Sequence, residues 1–125
     1  LHRFCLEDCA MIKDNHIKYA GSLTKAVEKL RKEISHAHKI EVECDTVAQV
    51  EEAIACGADI IMLDNMDIAT MKQCVEIINH RAIVEASGNV NLSTIKNIAS
   101  TGVDIISSSA IVAKAPTLDL GLDCK

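Results

Sequence analysis

Several stretches of this 125-residue chain follow an apolar run with side chains able to do chemistry. Ala10-Met11-Ile12 leads into Lys13-Asp14-Asn15-His16, a cation, an acid, an amide and an imidazole in succession. The run through Ile40 and Val42 leads to Glu43, and Ile60-Ile61-Met62-Leu63 leads to Asp64-Asn65. Ala82-Ile83-Val84-Glu85-Ala86 precedes Ser87-Gly88-Asn89, and Ile105-Ile106 precedes Ser107-Ser108-Ser109-Ala110. A lysine so placed either forms a Schiff base or stays protonated as a fixed cation for an acidic substrate; the carboxylates around Lys13 favour the second. Glu43 and Asp64 suit the vicinal hydroxyls of a ribose, or a Mg²⁺ held through water. Their plainer use is a salt bridge to Lys13 or a helix cap. Ser87-Gly88-Asn89 and Ser108-Ser109-Ala110 offer small residues, hydroxyls and backbone N–H groups, the ingredients of a phosphate cradle at the start of a helix. Glu41 and Glu85 fall short of the strand ends. Strand alternation puts Glu41 on the side of Glu43 but deeper, where it calls for a cation.

The elements between these stretches repeat. Leu23, Ala26, Val27, Leu30 and Ile34 recur at helical spacing behind Ser22, a good N-cap. Asp45 or Thr46 caps a second helix over 47–56 that Gly57 stops, a third covers 67–79, and a fourth covers 92–100, ended by Gly102. Strands are predicted at 10–12, 40–44, 59–64, 82–86 and 104–107. The tail from Pro116 to Leu122 alternates like a strand but no helix follows it. His36, His38 and His80 lie near helix ends and read as solvated or capping residues. Repeated βα crossovers make a parallel sheet, either doubly wound or part of a barrel. Strict repetition and the lack of any Gly-x-Gly-x-x-Gly favour an α/β fold of the parallel barrel type, incomplete, with about five βα units over residues 1–125. In that fold every polar stretch faces one mouth, at the C-terminal ends of the strands.

Composition agrees. Hydrophobic residues make up 49% of the chain with one Phe, one Tyr and no Trp, so the core must be aliphatic, as in strands buried on both faces. A net charge of −5 leaves no electrostatic footprint for nucleic acid or an anionic membrane. No apolar run approaches the roughly 20 residues of a membrane span, and no signal peptide opens the chain, so a cytoplasmic protein is expected. The six cysteines, Cys5, Cys9, Cys44, Cys56, Cys74 and Cys124, show neither Cys-x-x-Cys nor zinc spacing and read as small reduced hydrophobes. The start at Leu1-His2-Arg3 reads as a fragment or an incomplete gene product.

Taken together, Lys13-Asp14-Asn15-His16, Ile40-Glu41-Val42-Glu43, Met62-Leu63-Asp64-Asn65, Glu85-Ala86-Ser87-Gly88-Asn89 and Ala115-Pro116-Thr117-Leu118-Asp119 resemble, in this order, the C-terminal part of the quinolinate phosphoribosyltransferase family, also called nicotinate-nucleotide pyrophosphorylase (carboxylating). The resemblance implies an enzyme that joins quinolinate to phosphoribosyl pyrophosphate with Mg²⁺, releasing pyrophosphate and CO₂ and forming nicotinate mononucleotide for NAD biosynthesis. It implies that His2, Arg3 and Lys13 grip the quinolinate carboxylates and that Glu43 and Asp64 meet the ribose hydroxyls and metal. Ser87, Gly88 and Asn89, with Ser108, Ser109 and Ala110, become phosphate-binding loops. His2 and Arg3 gain a role here that spacing alone does not assign. The resemblance also implies a homodimer or higher homo-oligomer, with an N-terminal domain and a first barrel segment beyond this chain, so the isolated chain is expected to be inactive and to expose an open barrel edge. The sequence departs from the family pattern at Asn89, where many members have Gly, at Ser108-Ser109, where many have Val-Gly, and at Val112-Ala113, where members often carry Thr-His. The alternatives are a non-catalytic phosphate-binding module and a sugar-phosphate barrel enzyme using Lys13 as a Schiff base.

Overall fold

The computed structural model describes residues 8–113, so His2, Arg3, Cys5, Cys124 and the tail from Pro116 lie outside the described residues. Along the chain follow β1 (Cys9–Ile12), α1 (Asp14–Ala20), α2 (Leu23–Glu33), β2 (Lys39–Cys44), α3 (Val47–Ala55), β3 (Ile60–Asp64), α4 (Ile68–Ile78), β4 (Ile83–Ser87), α5 (Ile95–Ala99), β5 (Ile105–Ile106) and α6 (Ala110–Ala113). The five strands are parallel and stand in chain order, β1-β2-β3-β4-β5. That order chooses between the two architectures left open by the sequence. A doubly wound sheet reverses its strand order at a switch point; unbroken order with right-handed crossovers sets all the helices on one face, the winding of a β/α barrel.

The sheet therefore has two unlike faces. Ile40, Val42 and Cys44 of β2, Ile61 and Leu63 of β3, and Val84 and Ala86 of β4 point into the hydrophobic core with Leu23, Val27, Val50, Met71, Cys74 and Ile78 of the helices. The pleat sends the intervening residues the other way. The pairings Met11–Glu41, Glu41–Ile60 and Ile60–Ile83 make one row across that second face, and Glu43–Met62, Met62–Glu85 and Glu85–Ile105 make the next. Asp64 pairs with Ser87 one row higher, at the C-terminal rim.

Two aspartates at the opposite end hold this register. Asp59 donates its N–H to the Ile40 carbonyl at 3.0 Å, while its Oδ2 accepts from the Ile40 N–H at 2.8 Å. Asp104 repeats the arrangement on Val84, with bonds of 2.9 and 2.8 Å. Each carboxylate takes the place of a missing ladder carbonyl and clamps a strand start to its neighbour. The sequence repeats with it: Gly57-Ala58-Asp59-Ile60-Ile61 and Gly102-Val103-Asp104-Ile105-Ile106 each turn out of a helix into such a strand. Asp59 also receives Arg31 Nη2 at 2.6 Å.

The helices match the expected pattern in part. Ser22 accepts from the Lys25 N–H and caps α2, Thr46 caps α3 and Asp67 caps α4. Helix α1 was not expected, because Asp14, Asn15 and His16 read as a loop rather than as a first turn. Lys18 Nζ bonds Asp14 Oδ2 at 2.7 Å one turn along, and this pair lowers the Asp14 carboxyl from its usual range. The fourth expected helix is shorter than its pattern: Asn91 Oδ1 accepts from the N–H groups of Ser93 and Thr94 in a side-chain turn, and α5 begins only at Ile95. Cys44, Cys56 and Cys74 are free thiols, and burial pushes Cys44 up to about 12.

Replacing Asp104 by Ala leaves the Val84 N–H without its partner and should cost about 1–2 kcal/mol, read as a lower urea midpoint. Asp104→Asn keeps an acceptor oxygen and should recover most of the loss. An Ala variant as stable as the parent chain would show that the clamp contributes nothing.

Candidate active site

Lys13 is the N-cap of α1 with extended backbone (φ −119°, ψ 171°), so it prolongs the alternation of β1 and its side chain follows Met11 onto the non-helical face. There its Nζ meets Glu43 Oε2 at 2.6 Å. The pair is half open, with the lysine side chain 50% and the glutamate 18% exposed. The hydrogen bond that Lys13 donates to Glu43, joined by the charges of Glu43, Asp64 and Glu41, raises the Lys13 ammonium above its usual 10.5 against the opposing pull of desolvation. A Schiff-base lysine must shed its proton near neutrality, so this environment argues for a fixed cation. Of its neighbours, His16 turns inward on the chain: Nδ1 accepts from the Lys13 N–H at 3.0 Å and holds the helix start. Glu41 is 2% exposed in the row below, and its carboxylate acts electrostatically on Lys13.

A cleft of about 900 Å³ opens beside this pair, over the ends of β3, β4 and β5. Asp64, Ser87, Gly88, Asn89, Ser107, Ser108, Ser109 and Ala110 all line it. The two small-residue loops expected to cradle phosphate thus share one wall with Asp64. Lys13 and Glu43 stand outside the cleft, and Asp64 is the residue that belongs to both neighbourhoods.

The serines divide their work. Ser107 donates to Glu85 Oε1, which gives that nearly buried carboxylate a partner. Ser108 donates to the Val90 carbonyl at 3.2 Å and accepts from the Ala110 N–H, tying the two loops together. The hydroxyls left toward the cleft are those of Ser87 and Ser109. The helix N-terminus expected after Ser87-Gly88-Asn89 does not reach this wall, since α5 starts six positions beyond Asn89, whereas the four-residue α6 starts at Ala110 on the cleft wall. On the Gly88 side donors must come from the loop itself. Gly88 makes that possible. Its φ of +83° favours glycine, and a Cβ there would fall 2.3 Å from Asn65 Oδ1 and 2.9 Å from the Asn65 backbone nitrogen.

Asn65, Asn91 and Thr94 are the contributors that pattern reading passed over as site residues. Asn91 Nδ2 and Thr94 Oγ1 both donate to the Asn89 carbonyl, at 3.2 and 2.8 Å, and pin the loop from below. The available signal was Asn at both 65 and 89, since Asn tolerates the left-handed region better than other side chains; φ is +52° and +51°.

Among the described residues no group of three or more His, Cys, Asp or Glu gathers to hold a metal. No helix among them is long and apolar enough to cross a membrane.

Fold and rim together define a parallel β/α barrel segment with a cleft of small-residue loops and acidic residues at its C-terminal mouth. The chain belongs to the quinolinate phosphoribosyl transferase family: the model of that family's C-terminal domain matches residues 1–123. A probable nicotinate-nucleotide pyrophosphorylase [carboxylating] from Synechocystis is 51% identical over 97% of this chain, which covers 42% of that protein. Nicotinate-nucleotide pyrophosphorylase from Ehrlichia chaffeensis superposes with a TM-score of 0.84 at 44% identity, over 90% of this chain and 41% of that one. NadC from Streptococcus pyogenes does so with a TM-score of 0.85 at 41% identity, over 94% and 41%. The chain thus spans less than half the length of the relatives it matches.

Gly88→Ala should abolish inorganic phosphate binding measured by isothermal titration while the far-ultraviolet dichroism of the helices persists; unchanged phosphate affinity would remove the loop from the site. The Lys13 ammonium, raised above 10.5, stays charged below that value, so the lysine's side of the pair with Glu43 is lost only as pH rises through the higher folded value. Glu43→Gln should lower the Lys13 midpoint in an NMR titration, and an unmoved midpoint would mean that the pair is not formed in solution.

Proposed function

We propose that this chain is the C-terminal barrel portion of a quinolinate phosphoribosyltransferase, forming nicotinate mononucleotide, CO₂ and pyrophosphate from quinolinate and phosphoribosyl pyrophosphate. The observation that carries the reading is Asp64, which lines the cleft with the two small-residue loops and also acts electrostatically on Lys13. A substrate with phosphates at one end and a reacting sugar carbon between them and an acidic ring needs that adjacency.

The roles follow from charge. Quinolinate is a dianion, and a protonated Lys13 supplies a point charge for it while Arg3 is suited to bind a carboxylate bidentately, with His2 beside it. As pyrophosphate leaves, positive charge develops on the sugar, and Glu43 and Asp64 would stabilise it and accept from the ribose hydroxyls. Loss of CO₂ leaves negative charge on the pyridine ring, which the same Lys13 cation stabilises. No covalent intermediate is needed. Phosphate oxygens would meet the loop N–H groups of Gly88 and Asn89 and the hydroxyls of Ser87 and Ser109.

Mg²⁺ fits this rim in a particular way. Among the described residues the cleft is lined by one carboxylate and by no lysine or arginine, so phosphates entering it need a countercharge. With no three-residue cage among the described residues, Asp64 and Glu43 would hold the ion together with substrate oxygens and water, the usual manner of Mg²⁺. When bound it supplies charge neutralisation on the departing pyrophosphate. The protein would work in the cytoplasm as a homodimer or higher homo-oligomer, without nucleic acid or membrane.

The 125 residues alone are expected to turn over little or not at all, since they span under half of each relative. Binding without catalysis is the second reading for the isolated chain. Joined to the portion of the Synechocystis relative that the match does not cover, Lys13→Ala or Arg3→Ala should raise the Kd for quinolinate at least tenfold, about 1.4 kcal/mol, and that for phosphoribosyl pyrophosphate much less. Equal losses for both ligands would refute the assignment, and robust turnover by the isolated chain would refute the expectation that it is incomplete.

A further inference from the structure

Asn65 makes contacts on both sides of the rim. It follows Asp64 directly and sits in the left-handed region at φ +52°. Its N–H donates to the Ser87 carbonyl at 3.0 Å, which extends the β3–β4 ladder beyond its last pair. Its Nδ2 donates to Asp64 Oδ2 at 2.9 Å, and its Oδ1 accepts from Asn89 Nδ2 at 3.1 Å. The orientation of this amide is forced: a carboxylate only accepts, so the nitrogen must face Asp64 and the oxygen is left for Asn89. The same Oδ1 occupies the space that a side chain at residue 88 would need.

One planar amide therefore joins the acidic residue proposed for the sugar to the loop proposed for phosphate. Asn65 engages one oxygen of Asp64 and leaves Oδ1 for a ligand. Rotating the amide to follow a displaced Asn89 would withdraw its donor from Asp64. On the reading of the site given above, we infer that Asn65 is a positioning residue that couples the two subsites, so that sugar and phosphate are bound as one unit. Asn89, whose Nδ2 donates to the Asn65 Oδ1, is the second half of the coupling.

The test uses inorganic phosphate and ribose 5-phosphate as probes, titrated calorimetrically into the full 125-residue chain. Asn65→Gly and Asn89→Gly both tolerate a positive φ, so each removes a side chain without forcing the backbone. The unsubstituted chain should bind ribose 5-phosphate more tightly than phosphate. Asn65→Gly should erase most of that preference and weaken phosphate about threefold. Asn89→Gly should weaken both probes about threefold, and the double variant should bind phosphate no worse than Asn65→Gly alone. Asn89→Gly should also move the carboxyl ¹³C resonance of Asp64, with which residue 89 shares no hydrogen bond. An unmoved Asp64 resonance, fully multiplicative losses, or a preference for ribose 5-phosphate that survives Asn65→Gly would overturn the coupling. If the unsubstituted chain shows no preference for ribose 5-phosphate, the sugar role of Asp64 fails first, and the coupling fails with it.

Discussion

Strand register is the constraint on which this molecule depends. In a parallel sheet whose residues alternate between an aliphatic core and a second face that carries Glu41, Glu43 and Glu85, a slip of one position would put those carboxylates among Leu23, Val27 and Ile78 and turn Ile40, Val42 and Val84 out of the core. Hydrophobic burial resists the slip in bulk. The Asp59–Ile40 and Asp104–Val84 clamps resist it locally, at strand starts where the ladder would otherwise begin unpaired. They lie at the end of the sheet away from the chemistry, and the accuracy of the far rim is inherited from them.

At that rim the structure works by shared residues rather than by separate ones. Lys13 is at once the cap position of a helix, the last extended residue of a strand and the partner of Glu43. Ser108 holds one loop to another instead of pointing its donor at a ligand. Such economy follows from short connections: with helices beginning two to four residues past β1, β2, β3 and β5, few backbone groups are free there, and side chains in the turns close part of the ladder or part of a cap.

Much of this was legible in the residues. Ser22, Gly57 and the alternation of Ile40 to Cys44 mark elements by local chemistry that tertiary structure leaves intact, and the strand-end positions of Glu43, Asp64 and Ser87 follow from the βα repeat. What was hidden depended on long-range partners. Asp14 to His16 form a first helical turn because Lys18 answers Asp14 and His16 bonds back to Lys13, and neither contact shows as apolar periodicity. The start of α5 was misplaced because Asn91 competes for the backbone N–H groups that a helix would have used. Asn65 looked like punctuation after an aspartate until Asn89, far along the chain, was found against it. The roles of His2 and Arg3 came from family resemblance alone.

The buried sulfur atoms carry a last consequence. Cys44 and Cys74 lie wholly inside the core, between the sheet and its helices, and the Cys44 thiol holds its proton up to about 12. Thiolate is the form that oxidants and electrophiles attack. While the sheet keeps its helices, these two sulfurs are chemically silent, and any mark left on them records a moment when the layers had come apart. The chain thus carries its own history of unfolding in two atoms that take no part in its chemistry.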